Sequence, residues 1–135
     1  MEKQYKPLYR SLLHSCLEWE IIDDEPELLE LKGVFVFTTD FSGFRGHFPG
    51  RPILPAVVQL ASVRFLAESG LKQSLYPESY SRTKFRGIIQ PDERVEVQLR
   101  LVKKEVVWSG TFAIYNAGEE RVTSGKCVFS IMTIS

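Results

Sequence analysis

Apolar and polar residues alternate along much of this chain, and the alternation marks out strands. From Cys16 to Asp23, Leu17, Trp19 and Ile21 fall on one side and Glu18 and Glu20 on the other, the period-two pattern of a half-buried strand. Asp23-Asp24-Glu25-Pro26 predicts a turn, because the residue before a proline is driven out of the helical region. Leu29 to Thr39 predicts a second strand, dense in Val34, Phe35, Val36 and Phe37, with Gly33 as a bulge, paired antiparallel with the first. Further on, Tyr80 to Ile89 reads as extended and Pro91-Asp92-Glu93 as a turn. Val95, Val97, Leu99 and Leu101 then alternate with Arg94, Glu96, Gln98 and Arg100. Val106 to Tyr115, the loop Asn116-Ala117-Gly118-Glu119, and Arg121 to Ile134 complete a run of hairpins. Strands joined by short turns predict an antiparallel sheet with one buried face.

Two segments break the alternation in favour of helix. Tyr5 to Leu13 predicts a short opening helix with Leu8, Leu12 and Leu13 on one side. Pro55 to Ser69 predicts the principal one, with proline at its start and Gly70 as a left-handed stop. Apart from Gln59, Ser62 and Arg64 its body is apolar almost all round, so it should be buried on most faces. A curved antiparallel sheet around one central helix is the expectation: a single α+β domain over residues 1–135.

Composition narrows the function classes. Lys plus Arg number 17 and Asp plus Glu 17, so no global positive field argues for nucleic acid or anionic lipid. Two cysteines, Cys16 and Cys127, and two histidines in the whole chain fit neither a disulfide framework nor a zinc site, and no metal or other cofactor is expected. No stretch is apolar enough to span a membrane, and the opening residues lack the apolar run of a signal peptide. A cytoplasmic protein with reduced thiols is the expectation.

The chemistry concentrates between Asp40 and Pro55, where Gly43, Gly46, Gly50, Pro49, Pro52 and Pro55 forbid regular structure. Within it, Gly46-His47-Phe48-Pro49-Gly50-Arg51-Pro52-Ile53-Leu54-Pro55 carries a histidine on a rigid loop that feeds straight into the buried helix. First-turn amides of a helix lack intrahelical partners and carry positive partial charge, so they can stabilise a carbonyl oxygen that gains negative charge. A nearby imidazole can remove a proton near neutral pH. The same residues serve equally as packing in a tight turn, and the residues by themselves do not choose between the two. Phe41, Phe44 and Phe48 likewise suit either an acyl tunnel or the core. Arg51 and Arg64 suit either a carrier phosphate or the surface; His14 has no partner motif.

That ten-residue segment strongly resembles the active-site segment of the 3-hydroxyacyl-acyl-carrier-protein dehydratases, hotdog-fold enzymes of fatty-acid synthesis. Lys84-Phe85-Arg86-Gly87-Ile88-Ile89-Gln90-Pro91-Asp92 is similar to a later strand and turn of the same family, and the likeness runs from about Leu17 onward. The resemblance implies a curved sheet around a central helix, His47 as catalytic base, and the N–H of Ala56 as the donor that polarises the thioester carbonyl. It implies substrate contacts at Phe48, Pro49, Gly50 and Pro55, with Gln59 and Ser62 as polar candidates on the helix. Two departures stand out: the family's glycine is here Ala56, and its Glu or Asp five positions later is here Ala61. Val58-Gln59-Leu60 also resembles a divergent branch tied to aryl-polyene and related lipid pathways. The implied substrate is a 3-hydroxyacyl thioester of acyl carrier protein or coenzyme A, and the implied assembly a homodimer joined edge to edge. A catalytically silent acyl-binding subunit and an acyl thioesterase are the competing readings.

Overall fold

The computed structural model describes residues 2–41, 44 and 53–132, with side chains from Leu8 onward. Helix α1 (Glu2–Ser15) leads directly into β1 (Cys16–Glu25) and β2 (Leu28–Val36). Helix α2 (Ala56–Leu71) follows, then β3 (Leu75–Phe85), β4 (Arg94–Lys104), β5 (Val107–Tyr115) and β6 (Arg121–Ile131). The six strands form one antiparallel sheet in the order β1-β2-β4-β5-β6-β3. No described helix is long and apolar enough to cross a membrane.

The alternation expected in β4 holds along its length, with Val95, Val97, Leu99 and Leu101 all buried. Their polar neighbours share the opposite face with those of β1 and β2. There Lys32 lies 3.6 Å from Glu20 and 3.9 Å from Glu96, and Arg100 lies 3.0 Å from Glu30. Exposed pairs of this kind add little stability, but like charges in those places would oppose the register.

Helix α2 crosses the apolar face. Its first turns lie beside β6 and β3, where Gln59 meets Thr123 and Leu60 meets Tyr80. Its last turns lie over β2, with Leu66 against Gly33 and Gly70 against Leu31. Phe35, Phe37 and Phe129 of the sheet side and Val63 and Leu66 of the helix itself are fully buried. α1 docks alongside, burying Leu12 and setting Tyr9 at 5.4 Å from Phe65, ring to ring.

Several sequence expectations need correction. β1 runs on through the acidic residues to Glu25, and the turn falls at Pro26-Glu27. Leu17, Trp19 and Ile21 are not sheltered: β1 is an edge strand, paired on one side only, and Trp19 keeps 39% of its surface exposed. Gly33 is no bulge; it pairs in register with Trp19 and Val97, and the irregularities of that hairpin fall at Cys16/Glu18 and Ile21/Asp23. β2 ends at Val36 and β3 at Phe85, each short of the expected limits. Gly70 does not stop α2. The left-handed cap is Lys72, at φ 55°, its N–H donating to Glu68 O at 2.8 Å. Glycine stands at 70 for a different reason: a Cβ there would come within 2.6 Å of Leu31 Cδ2. β6 ends at Ile131, and the expected extension to Ile134 lies outside the described residues.

Candidate functional site

The expected site begins on a loop and ends on the first turns of α2. His47, Phe48, Pro49 and Gly50 lie outside the described residues, as does Arg51; Pro55, Ala56, Gln59 and Ser62 lie within them. Phe41 and Phe44 are buried, and their rings stack edge-on in a series with Phe37, so both belong to the core.

Pro55 caps α2 with an extended backbone (φ −64°, ψ 153°) and offers no side-chain cap; no acidic residue occupies the first turn. The N–H groups of Val58 and Gln59 both donate to Pro55 O, at 3.1 and 3.2 Å. Those of Ala56 and Val57 have no acceptor among the described residues. Ala56 is exposed and Val57 keeps 68% of its surface open. Among the described residues the helix therefore presents two donors without an acceptor at its positive end, and no acidic residue in its first turn offsets the partial charge.

What holds this end of the helix is a buried polar chain. Leu54 N–H donates to Ile89 O at 2.9 Å, tying the residue before the cap to the segment after β3. Gln59 Nε2 donates to Leu54 O at 3.2 Å, and Gln59 Oε1 accepts from Thr123 Oγ1 at 2.5 Å. Ser62 Oγ donates to Gln59 O at 2.6 Å. Gln59, Ser62 and Thr123 are 4, 2 and 1% exposed, so two of the three polar interruptions of the helix are buried and already engaged by the protein. Thr123 was not singled out from sequence. The signal was available: on β6 it falls on the same alternate positions as buried Cys127 and Phe129, and a hydroxyl there needs a partner.

The other side of α2 is more open. Leu60, Ala61 and Arg64 are half-buried, and Tyr80 Oη reaches Leu60 O at 3.4 Å from β3. Burial pushes the Tyr80 phenol up to about 12, with the neighbouring Cys127 adding to the rise, so it is a proton-bearing donor at neutral pH. Arg64 Nε lies 3.6 Å from Glu68 Oε2, which also accepts from Leu75 N at 2.8 Å. At Ala61 there is no group that could give or take a proton. His14 is exposed at the end of α1. Among the described residues, no cluster of His, Cys, Asp and Glu could hold a metal ion.

A family model described as ApeI-like, ApeI dehydratase, matches residues 24–126. Among curated proteins, the chain is 26% identical over 95 residues to a 3-hydroxyacyl-[acyl-carrier-protein] dehydratase FabZ of Pediococcus pentosaceus, a stretch covering 65% of this chain and 64% of that one. It is 32% identical over 91 residues to the protein so named in Bartonella henselae, covering 62% of this chain and 57% of that one. The chain thus spans a little under two-thirds of the length of these relatives. Among solved structures, the dehydratase heterocomplex ApeI:P of Xenorhabdus doucetiae superposes with a TM-score of 0.66 at 22% identity, covering 85% of this chain and 96% of that one.

Proposed function

The chain belongs to the ApeI-like dehydratase family and has the hotdog fold, and on that premise we propose that it removes water from 3-hydroxyacyl thioesters. The observation that carries the reading is the open N-terminus of α2: two outward N–H donors at Ala56 and Val57, fixed from behind by buried hydrogen bonds. An acyl carbonyl seated there meets donors where charge develops as the α-proton leaves. His47 is the base that takes that proton, leaving an enolate whose oxygen the Ala56 N–H holds. The C–O bond to the 3-hydroxyl then breaks. The proton held on the imidazole returns to the departing oxygen as water, which closes the balance without a carboxylate at 61. Phe48, Pro49, Gly50 and Pro55 are the residues assigned to contact the thioester. The carrier is acyl carrier protein or coenzyme A, the former being the carrier in the names of the curated relatives. The cytoplasm, where such acyl thioesters are made, is the site of action.

The assembly is a homodimer through β3. Both edges of the sheet are open among the described residues, but β1 carries Glu18, Glu20, Asp23, Asp24 and Glu25 and would repel a second copy of itself. Antiparallel pairing of β3 with its copy about Tyr80 instead sets Glu78 of each chain opposite Arg82 of the other.

A second reading is favoured by Ala61: a silent acyl-binding subunit that lends its fold to an active partner. The ApeI:P structure is itself a heterocomplex. Purified protein incubated with a 3-hydroxyacyl thioester separates the readings, with enoyl product and free thiol followed independently. Enoyl product that disappears in folded His47→Ala supports dehydration, and Ala61→Glu should raise the rate, since a placed acid contributes about 10²–10⁴-fold. Thiol without enoyl product points to thioester hydrolysis. No turnover by wild type or by folded Ala61→Glu makes the silent subunit the better account.

A further inference from the structure

We infer that Gln59 is a positioning residue for the oxyanion donors rather than a contact for substrate, with Thr123 as the support that orients it; this rests on the dehydratase reading of the same site. A glutamine amide has one acceptor oxygen and one donor nitrogen, and here the two ends do different jobs. Oε1 is anchored on the sheet by the Thr123 hydroxyl, at 2.5 Å. With the oxygen so engaged, Nε2 is turned to Leu54 O, at 3.2 Å. Leu54 is the last residue before the cap, and its own N–H is bonded to Ile89 O at 2.9 Å. Leu54 is thus held through both of its flanking peptide groups, by its N–H and by its C=O, and the next residues along the chain are Pro55 and Ala56.

Proline has no N–H of its own with which to fix this corner, and Pro55 supplies no side-chain cap. Gln59 is therefore the link that sets where the chain enters the helix, and so where the Ala56 and Val57 N–H vectors point. The residue is 4% exposed and each polar end already bonds to the protein, so burial rather than saturation keeps it from a ligand. An error of about 1 Å in placing a group at the reacting centre can cost about 10²-fold in rate, so such a tie acts on turnover without touching substrate.

Three variants test it: Gln59→Met, which keeps length and loses both polar ends; Thr123→Val, which keeps shape and removes the hydroxyl; and Gln59→Glu. Two measurements are made on each. Amide hydrogen exchange is read at Leu54, Val58 and Gln59 (or at residue 59 of the variant), with the β4 amides as an internal gauge of global stability. Steady-state dehydration of a 3-hydroxyacyl thioester gives kcat and KM separately. In Gln59→Met and Thr123→Val, exchange at 54 and 58 should quicken by at least 10-fold more than in β4. Turnover should fall at least 10-fold with KM within about 3-fold of wild type. Gln59→Glu should be the most damaged at pH 8, where a carboxylate cannot donate to Leu54 O. It should recover towards wild type as the pH falls and the acid gains a proton to donate.

A rise in KM with kcat unchanged would show that Gln59 touches substrate and overturn the inference. So would exchange that quickens equally in β4 and at 54–58, which marks a merely structural residue. A wild type with no dehydration, whose Gln59→Met variant still loosens 54–58 selectively, removes the dehydratase reading and leaves the tie supported.

Discussion

Gly110 is the position at which one methyl group should cost the most. It lies in β5, an interior strand, opposite Leu101 of β4 on one side and Cys127 of β6 on the other. A Cβ built on it would sit 1.8 Å from Arg100 O, 2.8 Å from Arg100 C and 3.0 Å from Leu101 Cα. These are backbone atoms of the neighbouring strand, so no rotamer change relieves the contact. Ordinary C···O approach is about 3.3 Å, so β4 and β5 must separate locally by about 1.5 Å. Ladder hydrogen bonds hold only to about 3.2 Å between heavy atoms, and a shift of that size breaks the nearest two. Each buried group left without a partner costs about 1–3 kcal/mol. Counting one such group for each of the two bonds, Gly110→Ala should lose about 2–6 kcal/mol, a large part of the roughly 5–15 kcal/mol that holds a domain together. Gly118→Ala is the control: its Cβ would meet only Asn116 Oδ1, at 3.5 Å. There the loss of unfolded-state freedom should dominate and stability stay level or rise by up to about 1 kcal/mol. Urea unfolding followed by tryptophan fluorescence reads both, since Trp108 lies in β5 itself. A Gly110→Ala midpoint equal to that of wild type would refute the β4–β5 contact as described.

Two further outcomes follow from the same hydrogen bonds and burial. Ser62→Ala should leave stability within about 1 kcal/mol of wild type, because it loses one hydroxyl bond to a carbonyl and gains helix propensity; kcat and KM should hold, and a rise in KM would show that the hydroxyl reaches substrate after all. Stability should be full below about pH 9 and fall as the pH rises towards 12. Burial pushes the Cys127 thiol and the Tyr80 phenol each up to about 12, so the unfolded chain gives up those protons first and binds fewer than the native one. Cys127→Ala should remove the early part of the decline and Tyr80→Phe the later part, as read by chemical unfolding across the pH series; a decline unchanged in both variants would mean that neither group carries it.

The local periodicities were legible in the chain itself. The alternation of β4, the antiparallel β1–β2 pairing, the apolar helix that starts at Pro55, and the loop at 116–119 all follow from neighbours within a few residues. So does the resemblance carried by the segment ending at Pro55, because a contiguous run of Gly, Pro and His is a local object. What local pattern could not say is which face a strand finds covered. Leu17, Trp19 and Ile21 have the pattern of a buried face, yet β1 lies at the sheet edge. Gly70 looks like a helix stop in one dimension; in three it is a space that Leu31 fills, and Lys72 makes the turn instead. The polar residues of α2 show the limit most plainly. Gln59 and Ser62 interrupt an apolar helix, and sequence could point them at substrate or at the core with equal reason. Only the arrival of β6 beneath the helix, with Thr123 set to donate to Gln59, shows where the buried amide finds its partner. The partners of Gln59 lie on β6 and in the residue before the cap, while Ser62 bonds back to Gln59 O within the helix, and a buried hydrogen bond has no signature until both of its ends are in place.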